Sequence, residues 1–192
     1  MSKREDFGII SHECNHCGKC CQRRGELSLT PLDVFNISQY IGITAKNFID
    51  EYCEIGNGFD VCIRSNESTN KCIFFSQNFE GGKHCLIYDV RPMTCYLYPL
   101  KSRPESRDAF FIDSAASCPI SNENLTFSEY VLRNSKGRYS EDFTHYQKFC
   151  MAIGAFYSDR NSPSQAEMFK FLFYNSSAEE IKQKLNQYLF GK

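Results

Sequence analysis

The sequence predicts an α+β fold: a small, irregular, cysteine-rich core with a helical hairpin and short strands, followed by a helical C-terminal portion. Three observations predict it. Ten of the eleven cysteines fall within the first 120 of 192 residues, and only Cys150 lies beyond them. Short aromatic and β-branched runs, separated by polar or Gly-rich pieces, fill the middle of that region. Capped helical patterns stand on both sides of them.

The N-terminal MSKREDFGII alternates charges and lacks the apolar run of about 7 to 15 residues that a secretory signal requires. No later window approaches the roughly 18 uncharged apolar residues of a membrane span. The expectation is a soluble, cytoplasmic protein with no membrane partner. Lys+Arg (22) nearly cancel Asp+Glu (23), so no overall basic field draws in nucleic acid. Cytosolic thiols are kept reduced, and crowded cysteines there more often hold metal than form disulfides. Eleven cysteines would also leave one over in a purely disulfide framework.

The first element is the stretch CNHCGKCC, residues 14–21. TPLDVFNISQYIG then carries a full helix signature, with Thr30 as N-cap, Pro31 at the first helical position, Asp33 in the first turn and Gly42 as the stop. Leu32, Phe35, Ile37 and Ile41 supply its buried side. TAKNFIDEYC reads as a second short helix capped by Thr44, with Phe48 and Tyr52 one turn apart. FDVCI (59–63), KCIFF (71–75), HCLIY (84–88) and AFFID (109–113) read as short strands. From about Thr126 helical patterns return in TFSEYVLRN, EDFTHYQKFCMAIGAFY and two segments opening on capping boxes, Ser162 with Gln165 and Ser177 with Glu180. The last places Ile181, Leu185, Tyr188 and Leu189 on one stripe that packs over the cysteine region. The expected division is a cysteine-cluster metal-binding domain over 1–120 and a helical C-terminal extension over 121–192.

In CNHCGKCC the spacing of three between Cys14, Cys17 and Cys20 lets a tight turn aim three sulfurs at one point, as short C-x-x-C units do around zinc or an iron–sulfur cluster. Gly18 relieves the steric limit where that backbone curls. Cys20 and Cys21 are neighbours whose side chains diverge, which suits two different centres. Downstream, Cys72, Cys85, Cys95 and Cys118 bring the thiols to eight. By analogy with the two-cluster ferredoxin run ending in C-P, Cys14, Cys17, Cys20 and Cys118 are assigned to one centre. Cys21, Cys72, Cys85 and Cys95 form the other.

The combination of CNHCGKCC, a helical hairpin, KCIFF and CLIYDVRPMTCYLYP resembles the CxxCxxCC family of zinc- or iron-chelating domains, also called YkgJ-type cysteine cluster proteins. The likeness covers roughly residues 10–120 and includes Cys85, Tyr88, Arg91, Pro92, Cys95, Tyr98 and Pro99. It implies metal binding. Flagellin lysine N-methylase carries a similar cluster, so the resemblance also hints at methyl transfer from S-adenosylmethionine.

Four thiolates around a [4Fe-4S]²⁺ core leave net charge, which a nearby guanidinium would offset, and Arg91 is the candidate for that role at the cofactor. Its plainer reading is a surface ion pair with Asp89. Cys53, Cys62 and Cys150 lie in amphipathic or apolar runs, where cysteine acts as a small hydrophobe. His12, His16 and His84 flank ligand cysteines and are alternative zinc ligands, while His145 reads as an ordinary helix residue. Phosphate-loop, dinucleotide and hydrolase-elbow signatures are absent. Three functions follow: an iron–sulfur protein, most simply [4Fe-4S], with a redox or cluster-dependent role; a structural zinc module whose C-terminal helices bind a protein partner; or an S-adenosylmethionine-dependent protein methyltransferase, suggested by the resemblance alone.

Overall fold

The computed structural model describes Cys21 and residues 27–76, 85–103, 106–112, 139–159 and 162–191. Within them the chain is α+β with a helical C-terminal portion, as expected. Helix α1 (Pro31–Ile41) begins at Thr30, whose hydroxyl accepts the Asp33 N–H at 3.1 Å while the Asp33 carboxylate accepts the Thr30 N–H at 2.9 Å. Each residue thus satisfies a backbone donor that the helix start leaves over. Gly42, in the left-handed region at φ +78, ends the helix. Helix α2 (Ala45–Tyr52) starts at Thr44, whose hydroxyl accepts the Asn47 N–H at 3.1 Å, and packs back on α1. Phe48 and Tyr52 stack on each other at 5.8 Å and both stack on Phe74.

Helix α2 runs straight into β1 (Cys53–Ile55), which pairs antiparallel with β2 (Val61–Ile63) in the register Cys53 to Ile63 and Ile55 to Val61. The Leu29 N–H donates to the Val61 carbonyl at 2.7 Å and the Ile63 N–H to the Leu27 carbonyl at 3.3 Å. With neighbours on both edges, β2 is buried along its length. Arg64 then reaches back and donates to the carbonyls of Asp50, Glu51 and Cys53 at 3.0, 3.2 and 2.8 Å. Those are carbonyls that the abrupt end of α2 leaves without helical donors.

Two of the expected strands are turns instead. KCIFF makes isolated bridges, Ser65 with Cys72 and Phe75 with Cys85, and closes on itself where the Phe75 N–H donates to the Cys72 carbonyl at 2.9 Å. HCLIY, described from Cys85 onward, likewise folds back, the Tyr88 N–H donating to the Cys85 carbonyl at 3.3 Å, and continues as a 3-10 turn at Tyr88–Val90. Local turn bonds take the donors that a ladder would use. Helix α3 (Met93–Leu97) follows, then β3 (Leu100–Arg103) and β4 (Ser106–Ile112), an antiparallel pair that contains most of AFFID.

Three helices complete the described chain: α4 (Tyr139–Ser158), α5 (Gln165–Phe173) and α6 (Ala178–Phe190). The cap of α5 lies two residues later than the sequence reading placed it. Ser164 accepts the Glu167 N–H, and the Glu167 carboxylate accepts both the N–H and the hydroxyl of Ser164 at 2.9 and 2.6 Å. A carboxylate holds that box better than an amide, and Gln165 instead donates to the Gly58 carbonyl. Ser177 caps α6 as expected, accepting the Glu180 N–H at 3.0 Å. All three helices touch α1, and Val34, Ile37, Ala152, Phe173, Ile181 and Leu185 belong to one apolar cluster. Among the described residues, no helix is long and apolar enough to cross a membrane. TFSEYVLRN (126–134) lies outside the described residues.

Cys53 belongs to that cluster and is 2 % exposed; burial pushes its thiol up to about 12, against the opposing pull of Arg64. An unfolded Cys53 ionises near 9.0, whereas the folded one does not until far higher pH. Its stabilising contribution is therefore complete below pH 9.0 and is lost as pH rises toward 12. Denaturant titration across that window is expected to show a shallower loss of stability in Cys53→Ala than in the parent. Truncating Leu185, 1 % exposed in the same core, to alanine is expected to cost about 2–5 kcal/mol by the same method.

Candidate metal centre

Backbone hydrogen bonds connect the segments that carry three of the described ligand candidates, Cys21, Cys72 and Cys85. The Cys72 N–H donates to the Cys21 carbonyl at 2.7 Å, which joins the end of CNHCGKCC to the middle of the chain. Two residues on, the Leu86 N–H donates to the Phe74 carbonyl at 2.9 Å and Phe75 pairs with Cys85, so the Cys85 segment lies beside the one that carries Cys72. Cys72 lies within the core, and Cys21 and Cys85 pack half-buried against it. Cys21 and Cys72 are far apart in sequence and meet through this backbone bond.

From Cys85 the chain winds through turns to Cys95. The Val90 N–H donates to the Ile87 carbonyl at 3.0 Å and the Arg91 N–H to the Tyr88 carbonyl at 3.4 Å. Ile87 is buried, and the Tyr88–Val90 turn rests on α1. Arg91 lays its guanidinium over the Tyr88 ring, 4.2 Å from the centroid, a cation–π contact that fixes where its charge sits. Cys95 lies half-buried in the first turn of α3, its N–H donating to the Pro92 carbonyl at 2.9 Å.

The start of α3 is tied to the start of α1. Pro92 stands at the N-cap and offers no side-chain bond, and the Met93 N–H donates to Asp33 Oδ1 at 3.1 Å. The other oxygen of the same carboxylate accepts from the Thr30 N–H and hydroxyl at 2.9 and 2.8 Å. The Thr94 hydroxyl adds a bond to the Ser28 carbonyl at 3.4 Å. Asp33 is buried, which a carboxylate tolerates only when its oxygens are met by donors.

The cysteines expected to act as small hydrophobes behave in two ways. Cys53 is a core thiol. Cys62 is held beside Ser28 and Asp60, 3.7 Å from the hydroxyl and 3.5 Å from Oδ1, and burial is the main cause raising its pKa. Cys150 lies half-buried on α4, and His145 is buried one turn before it with Nε2 3.9 Å from Glu141.

Cys21, Cys72, Cys85 and Cys95 are all soft donors, two of them backbone-linked, none fully in solvent, and that donor chemistry fits zinc or iron. Among the described residues, however, no three His, Cys, Asp or Glu side chains form a group that would hold a metal. Cys14, Cys17, Cys20 and Cys118, with His12, His16 and His84, lie outside the described residues. Asp33 and Arg64 were not singled out as long-range anchors by sequence. Asp33 carried only the signal of a helix-capping acid, and its bond to Met93 spans 60 positions.

Residues 13–119, more than half of the chain, match the CxxCxxCC family, described as "Putative zinc- or iron-chelating domain". The uncharacterized protein MJ0661 of Methanocaldococcus jannaschii is 32% identical over 90 residues, which cover 47% of this chain and 45% of that protein. The chain therefore spans less than half the length of this relative. No solved structure matches it. The family match spans the segment in which the backbone bonds Cys72 to Cys21 and pairs Phe75 with Cys85, and the chain belongs to the CxxCxxCC family of zinc- or iron-chelating domains.

Proposed function

We propose that the protein coordinates one or two iron–sulfur clusters, [4Fe-4S] in the simplest case, through Cys14, Cys17, Cys20, Cys21, Cys72, Cys85, Cys95 and Cys118, in a redox or cluster-dependent role in the cytoplasm. The observation that supports this reading is the backbone bond from the Cys72 N–H to the Cys21 carbonyl, which ties the end of CNHCGKCC to the segment whose Phe75 pairs with Cys85. In this reading Cys14, Cys17 and Cys20 of the N-terminal run, with Cys118, supply the remaining thiolates. An all-thiolate set suits iron–sulfur ligation. Arg91, anchored on Tyr88 four residues before Cys95, supplies positive charge near a cluster that carries net negative charge.

The protein's own part is to supply deprotonated sulfurs and to limit water. Cys72 is buried and its neighbours are half-buried, so a bound cluster would be partly shielded, which together with nearby charge sets its potential. The bound cluster would supply one-electron chemistry.

Elemental analysis and a visible spectrum of protein purified without oxygen test the reading. Iron with acid-labile sulfide is expected, with both lost in Cys72→Ser and Cys85→Ser and retained in Cys53→Ala and Cys150→Ala. Stoichiometric zinc without colour would replace it with a structural zinc module, and full metal content in Cys72→Ser would remove that ligand assignment.

A further inference from the structure

We infer that Asp33 is a positioning residue for the metal centre: its buried carboxylate fixes the start of α3, and so the place of Cys95, against the start of α1. The inference rests on the reading of Cys95 as a ligand. Its geometry is a bridge between two helix starts. One oxygen receives the Met93 N–H at 3.1 Å, and the other receives the Thr30 N–H and hydroxyl at 2.9 and 2.8 Å.

Pro92, at the cap of α3, has no side-chain hydrogen-bonding group, so the exposed donor of that helix is met from 60 positions away. Cys95 follows Met93 by two residues and is bonded to Pro92 through its own N–H at 2.9 Å. Any drift of the Met93 amide therefore moves the cysteine with it. Asp33 is 7 % exposed, which leaves little room for water to take over the bond.

The bridge requires a carboxylate. Asparagine has one acceptor oxygen and an amino group that only donates, so Asp33→Asn keeps either the cap or the Met93 bond, not both. A role limited to capping α1 predicts that Asp33→Asn and Thr30→Ala behave alike. A positioning role predicts that they part, because Thr30→Ala leaves the Asp33–Met93 bond in place.

The experiment uses the whole metal-loaded chain and five forms: the parent, Thr30→Ala, Asp33→Asn, Asp33→Ala and Cys95→Ser. Metal affinity is measured by chelator competition, the rate of Cys95 alkylation by mass spectrometry, and folded content by circular dichroism. Asp33→Asn is expected to lose about 10- to 100-fold in metal affinity, the range typical of removing a group that orients a ligand. Cys95 should also alkylate faster while Cys72 remains protected, with Thr30→Ala close to the parent in both. If Cys95→Ser keeps the parent's metal affinity, the ligand reading fails and the inference falls with it. If Cys95→Ser loses metal but Asp33→Ala, which keeps neither bond, matches Thr30→Ala, the ligand reading stands and the positioning role is overturned. Should Asp33→Asn lose folded content, the alkylation rate of Cys95 relative to Cys72 within the same sample decides, since unfolding exposes both and misplacement only the first.

Discussion

Burial of α1 on several sides is the constraint on which the rest of the structure depends. Val34 and Ile37 are fully buried, and α2, α4, α5, α6 and the Tyr88–Val90 turn all rest on this one helix. Each fully buried aliphatic side chain contributes about 1.5–3 kcal/mol by removing apolar surface from water. An eleven-residue helix is marginal on its own, and this packing, together with the Thr30–Asp33 capping box, makes it persist. The C-terminal helices thus complete the support of an element that the cysteine-bearing turns also use.

That placement bears on what metal does for the fold. In a small zinc module, ligand bonds substitute for a core and loss of metal is loss of structure. Here an apolar cluster runs from Leu29 through Phe74 and Ile87 to Leu185. The candidate ligands occupy its margin: Cys72 within it, Cys21 and Cys85 against it, and Cys95 on a helix whose start is anchored to α1. Under the proposed reading, packing rather than ligand bonds would hold these segments, and Arg91 and burial would help to set the potential of the centre.

The legible parts of the sequence were those written in local chemistry. Thr30, Pro31, Asp33 and Gly42 specified α1 because capping and left-handed backbone depend on residues within one turn, and Thr44 did the same for α2. The strand signals were weaker because runs of five apolar residues fit a turn as well as a ladder, and KCIFF and HCLIY became turns. Strand β1 was hidden in the tail of a helix, and the Arg64 cap that lets α2 end there comes from beyond the following hairpin. At Ser162 and Ser164 two serines competed for one cap, and the acid at Glu167 decided it. Of the site, spacing identified candidate thiols. It could not show that the Cys21 carbonyl meets the Cys72 amide, nor that a capping acid also serves Met93, since both are products of tertiary packing.

The apolar core rests on side-chain packing and should persist without the metal. Hydrogen exchange on reduced protein, before and after metal is removed by a chelator, tests it most directly. The account predicts that amides of α1, α2, α5 and α6 and the Cys72 amide bonded to Cys21 keep their protection, with faster exchange confined to the turns around Cys85 and Cys95. Collapse of protection throughout α1 and α2 on metal removal would contradict it and make the metal the element that holds the fold together.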